Sequence, residues 1–188
     1  ISCANSFKLV ASNYDRIENN SSPSSRRSSY VASLNRIRIQ QSFKASNKQF
    51  SKDLGRSIFK RSSLIRNEFR SFLADLPEDI FEKLSLAIFV VLSESVENIN
   101  DMDKVINAVA KSFGEQFVEL YHLGFRPDYF AVIADAAIAE CVKLDGGMHK
   151  RCETTLAWSQ LIAIIFTGVR DGYYARLRKF RRGSYGKR

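Results

Sequence analysis

The sequence predicts an all-α fold. Apolar residues recur three and four apart from about residue 31 to about residue 178, the period of an amphipathic helix. No stretch sustains the alternation of a half-buried strand. Opening and closing signals punctuate the apolar runs: Asp75-Leu76-Pro77-Glu78-Asp79 opens one helix and Gly146-Gly147 closes another. With 188 residues, 45% of them hydrophobic, the chain suffices for one core of ordinary domain size.

Residues 1–30 are rich in Ser and Asn and too polar to offset the entropy of ordering, so they are expected to form a disordered tail. Helical spacing then runs through Leu34, Ile37, Ile39, Phe43 and Phe50, with a break expected at Ala45-Ser46-Asn47. A second helix is expected at about 52–64 with Leu54, Ile58 and Phe59, followed by a turn-rich piece holding Leu64, Ile65, Phe69 and Phe72. The next helix, about 78–98, is densely apolar from Ile80 to Leu92. Helices at about 101–121, about 127–144 and about 152–179 complete the series. The expected domain spans residues 31–178, with a basic tail from 179 to 188. Six to eight unequal helices joined by short turns suit a globular helical fold better than an up-down bundle.

The formal net charge of +9 is unevenly placed. Residues 1–50 hold eight Lys/Arg against two acids, and residues 176–188 hold seven against none. Of the chain's 29 basic and 20 acidic residues, 14 and 18 are left for residues 51–175, so the packed part is mildly acidic. This disfavours nucleic acid as the partner of the folded body. The polybasic end containing Arg176, Arg178, Lys179, Arg181 and Arg182 suits an anionic membrane face instead. Arg26-Arg27-Ser28-Ser29 and Arg181-Arg182-Gly183-Ser184 resemble sites of basophilic kinases, which makes a kinase acting on Ser29 or Ser184 an expected partner. Three cysteines, Cys3, Cys141 and Cys152, make a poor disulfide framework, and Cys141 is expected in the core. A reducing, cytoplasmic setting fits, with membrane association through the basic end. No run of about 18 apolar residues is present.

The order and spacing of the segments resemble the globin family over about residues 34–175. Ser42-Phe43 in the first helix is similar to the Ser-Trp that globin A helices carry. Gly55 with Ile58-Phe59, and then Phe69, resembles a B helix and the phenylalanine that wedges against haem. Phe81-x-x-Leu84 with Ile88, Phe89 and Leu92 resembles an E helix, and Val96-Glu97-Asn98-Ile99-Asn100-Asp101-Met102-Asp103 its exit into the next turn. Phe113-Gly114-Glu115-Gln116-Phe117 resembles the end of an F helix, and Gly124-Phe125-Arg126-Pro127-Asp128-Tyr129-Phe130 the corner leading into G. Leu156-Ala157-Trp158 through Gly172-Tyr173 is like the H helix of invertebrate, especially nematode, globins.

The resemblance implies a haem-binding, gas-binding or gas-sensing protein, with haem as cofactor and a small gas as ligand. Globins hold iron through a histidine of helix F. Counting back from Pro127 puts that position at Leu120, and matching the F-helix ending puts it at Phe117. The distal position is Leu84, with Ile88 and Phe69 as further pocket residues. None of these side chains can donate to iron. His122 is left as the axial candidate, although about 100° of rotation per residue turns it away from both proximal positions. Tyr121 and Cys141 are weaker substitutes, and His149 falls in a turn remote from the pocket as an expected surface residue. No nucleophile–base pair, zinc-spaced cluster or phosphate loop points to an enzyme. Two functions follow: a haem protein that binds or senses gas, or a haem-free globin-like interaction or regulatory module with an apolar-filled pocket.

Overall fold

The computed structural model describes residues 31–45 and 48–185, so the expected disordered segment and Ser29 lie outside the described residues. The described residues hold seven α-helices and no strand. They are α1 (Ser33–Ala45), α2 (Lys48–Ile65), α3 (Asn67–Ala74), α4 (Glu78–Glu97), α5 (Asn107–Gln116), α6 (Tyr129–Lys143) and α7 (Arg151–Tyr185). A π-helical turn, Met102–Ile106, leads into α5, and a 3-10 turn, Tyr121–Leu123, lies between α5 and α6.

Two helices organise the packing. The long α7 carries α1, α5 and α6 along its length, while α2 carries α3, α4 and α6. The buried stripe of α7 runs through Ala157, Trp158, Leu161, Ile162, Ile165, Phe166, Val169 and Tyr173, the three-and-four spacing of a core-facing helix. By length and composition the Arg151–Arg182 stretch of this helix could cross a membrane, but half of its most apolar window is buried inside the fold. Val31, just before α1, and Asn35, Ile39 and Ser42 on it face inward; Leu34 and Ile37, expected on that face, are exposed. Asn35 donates to Gln160 of α7 at 2.9 Å and Arg38 pairs with Glu153 at 2.8 Å, so polar contacts complete this interface.

Helices approach closely where glycine replaces a side chain. A Cβ added at Gly55 of α2 would lie 1.9 Å from the Ser85 carbonyl oxygen of α4. A Cβ at Gly114 of α5 would lie 1.9 Å from the Val169 carbonyl oxygen, and one at Gly172 of α7 would lie 2.2 Å from that of Lys111. Gly168 meets Ala110 in the same seam. The α5–α7 contact is therefore backbone against backbone.

Two polar clusters close the remaining gaps. Glu140 of α6 is buried and paired with Arg61 of α2 and, at 2.8 Å, with Lys143. Asp145, past the end of α6, accepts from the Ser42 hydroxyl at 2.7 Å and from the His149 backbone N–H at 2.9 Å. The His149 ring nitrogen Nδ1 stands 2.7 Å from the same carboxylate. His149, expected on the surface, is thus half-buried and joins α1 to the α6–α7 turn. Gly146 and Gly147, at φ 58° and 87°, form the expected helix stop, because an L side chain is strained there.

Three further expectations change. The piece with Phe69 and Phe72 is a helix rather than turns, since the two rings, three apart, share one buried face. The helix expected at about 101–121 divides into the π-turn, α5 and the 3-10 turn, and its regular part ends at Gln116. The expected C-terminal tail from 179 is helical as far as Tyr185, because its Lys and Arg residues are strong helix formers and no proline interrupts them. Ser184 falls in that last turn.

Gly172→Ala is expected to cost about 2–3 kcal/mol, read as a lower urea midpoint at unchanged slope, because backbone must move to admit the methyl. Burial alone would raise the Asp145 carboxyl, but the hydrogen bonds from His149 and Ser42 outweigh it and hold it below the ordinary carboxylate value. Its contribution is present above the unfolded value and is lost as pH falls through the folded one. The stability gap between wild type and Asp145→Asn should therefore narrow below about pH 4, measured by denaturation across pH.

Candidate functional site

The region to which the resemblance assigns a haem lies between α4, the end of α5 and the segment leading into α6. Its residues are buried for different reasons. Leu84 and Ile88 point inward from α4, four apart. Phe117 caps the C-terminal end of α5, where the backbone leaves the regular helix, and is fully buried. Leu120, three residues on, is also buried. Gly124, at φ 94°, then reverses the chain and returns Phe125 beneath Phe117.

The centre is made of rings. Phe117 lies 4.7 Å from Phe125, 5.0 Å from Phe113 and 5.2 Å from Phe130 by ring centroids. Phe125 reaches Phe72 at 5.7 Å, Phe72 reaches Phe69 at 5.8 Å, and Phe69 meets Tyr129 edge-on at 5.2 Å. Tyr173 of α7 closes the cluster against Phe125 and Phe130 at 5.9 and 5.5 Å. Tilted and edge-to-face pairs at these spacings are the favoured aromatic arrangements, each worth about 0.5–1.5 kcal/mol beyond the area buried. Phe69, expected to wedge against a haem, and Phe117, one candidate for its proximal position, are thus linked through Phe72 and Phe125 by ring contact.

Leu84 and Leu120 sit elsewhere but together. Both line an open cleft of about 610 Å3 with Ile80, and its rim carries Asp79, Lys83, Glu115, Glu119 and Arg176. A second surface cleft of about 470 Å3, lined by Asp53, Arg56, Lys60, Leu73 and Phe81, lies between α2, α3 and α4. Arg56 there pairs with Glu82 at 2.6 Å.

These residues do not fit a haem. Phe117, Leu120 and Leu84 offer no lone pair to iron, and the space between Phe69 and Phe117 is occupied by rings. His122 is exposed on the 3-10 turn and lines neither cleft. Tyr121 is exposed beside it. Cys141 is fully buried on α6, as expected, and burial together with the neighbouring Glu140 pushes its thiol far up. Among the described residues no group of three or more His, Cys, Asp or Glu could hold a metal ion.

The ring partners Phe72, Phe113, Phe125, Phe130 and Tyr173 were not among the pocket residues expected from sequence. Their signal was present as aromatic density, because Phe113, Phe117, Phe125, Tyr129 and Phe130 fall within 18 residues. Only the fold shows that they converge. Tyr173 carries an added feature: its hydroxyl is buried without a hydrogen-bond partner, and burial raises its pKa.

The chain is 50% identical over 157 residues, 84% of its length, to an uncharacterized protein of Caenorhabditis elegans. It spans 46% of that protein's length. No family model matches the chain. No solved structure matches it.

Phe117→Ala should cost about 3–5 kcal/mol in denaturant unfolding, because it empties the middle of the ring cluster. His122→Ala should change stability by no more than about 0.5 kcal/mol in the same assay, as befits an exposed turn residue.

Proposed function

We propose that this chain is a globin-like domain that folds without haem and acts as an interaction or regulatory module. The observation that carries this is the continuous ring contact from Phe69 through Phe72 and Phe125 to Phe117, which occupies the centre with side chains of the chain itself. Supporting the globin-like part, the segments that resemble E and F helices bring Leu84 and Leu120 to one open cleft beside the ring cluster. The segments that resemble A and H helices lie together, as do those that resemble B and E. Supporting the haem-free part, an apolar filling removes the cost of an empty cavity, about 24 cal/mol per Å3, which a domain lacking its cofactor would otherwise bear. Oxygen carriage is disfavoured, since it needs a ligand residue that the centre does not present.

The test is expression of the domain with haem supplied, followed by the absorbance spectrum and thermal unfolding. A cooperative transition with no stoichiometric Soret band is the expected result. A stoichiometric band that His122→Ala abolishes would overturn the proposal in favour of a haem protein that binds or senses gas.

A further inference from the structure

Leu64 and Ile65, the last two residues of α2, are 71% and 53% exposed. The chain turns at Arg66 into α3, where Phe69 and Phe72 fold onto the core, and leaves the aliphatic pair at the tip of the corner. Cations surround it. Lys60 precedes Leu64 by four residues and Arg61 precedes Ile65 by four, so each stands one turn behind an aliphatic on the same side of α2. That offset is about 6 Å along the helix axis. Arg70 reaches back from α3 to donate to the Ser63 carbonyl at 3.1 Å, which sets its guanidinium beside the tip. Part of the charge is shared. Arg61 pairs with Glu140, which also holds Lys143, and Arg66 pairs with Glu68. Arg126 and Asp128, next to Glu68, pair with each other. Lys60 and Arg70 make no ion pair among the described residues. Lys60, Arg61, Arg66, Arg70 and Lys143 thus face only Glu68 and Glu140, which leaves the corner positive.

We propose that the α2–α3 corner is a docking tip for an anionic phospholipid membrane. A protein held at a membrane surface needs apolar side chains that enter the headgroup boundary by about 5–10 Å, and cations behind them to meet the lipid phosphates and carboxylates. Leu64 and Ile65 supply the first. The one-turn offset sets Lys60 and Arg61 at the depth of the headgroups when the pair is inserted, and Arg70 stands beside them. Residues 31–175 hold 18 basic and 18 acidic residues, so the attraction is local to the corner and acts over about a Debye length, 8–10 Å. Two side chains at a tip are too few to anchor a stable protein partner, which buries about 800 Å2 on each side, whereas lipid closes around whatever protrudes into it. Nucleic acid would engage the cations and leave both aliphatics in water.

The experiment is binding of the full chain to vesicles of phosphatidylcholine alone and of equimolar phosphatidylcholine and phosphatidylserine, with a DNA duplex as the competing anion. Residues 176–188, with seven Lys/Arg, also attract anionic lipid, so the deciding readout is local to the corner. The chain has one tryptophan, Trp158, which is fully buried, and Leu64→Trp adds an exposed second one at the tip. Its emission should shift to the blue with the serine-containing vesicles and not with phosphatidylcholine alone. Leu86→Trp, on the exposed side of α4 level with Gly55 and so about 14 Å behind the tip, should not shift. In co-sedimentation, Lys60→Gln and Arg70→Gln should each weaken binding about fivefold, and Leu64→Ser with Ile65→Ser at least about tenfold. Circular dichroism checks that each variant folds. Lipid binding is read independently of haem, so this test and the haem test can fail separately. Four results would overturn the proposal. Wild type fails to bind the serine-containing vesicles, Leu64→Trp sediments with them at unshifted emission, the Leu64/Ile65 double variant binds them as tightly as wild type, or the DNA duplex binds more tightly than the vesicles.

Discussion

The contact on which the rest of the structure depends is the seam between α5 and α7. Gly114 and Gly172 let the two backbones meet with no side chain between them, and Gly168 admits the Ala110 side chain. Helices that normally pack at 8–10 Å are thereby brought as close as backbones allow. α5 has only ten residues and packs chiefly against α7. Its C-terminal end then delivers Phe117 to the middle of the fold, and the Gly124 turn returns Phe125 against it.

A closed centre follows. A helix held a little farther from α7 would leave space between Phe117 and Phe69, and a ligand would be needed to fill it. Here the rings of α3, α5, α6 and α7 meet each other instead. The Tyr173 hydroxyl and the Trp158 indole N–H of α7 are both buried without partners, as are the Ser85 and Ser95 hydroxyls of α4. Each such group costs about 1–3 kcal/mol, which the surrounding aromatic and aliphatic burial outweighs.

Much of the fold was legible in the sequence because it rests on local pattern. The apolar spacing of Ile80 to Leu92 and the Gly146-Gly147 stop marked α4 and the end of α6, and the apolar neighbours of Cys141 placed it in the core. What was not legible depends on contacts far apart in sequence. Ile37 is as apolar as Ile39, and only the docking of α1 on α7 decides that Ile39 is buried and Ile37 is not. The partnership of Asp145 with Ser42 crosses 103 residues, and no local signal marks His149 as its third member. Glycines inside α5 and α7 read as weak helix positions, whereas their use is close approach. At the centre, Phe117 and Leu120 stood as alternatives for one role. The structure gives them separate ones, a ring in the cluster and a wall of the cleft beside Leu84.

α5 is held against α7 by close backbone contact and closes the middle of the domain with the chain's own rings. Native-state hydrogen exchange on the protein purified without haem tests it most directly, read at the backbone amides of α5. These amides should open only with the whole fold, at the free energy of global unfolding measured by denaturant. Exchange of α5 through a local opening well below the global value, with α4, α6 and α7 still protected, would contradict it.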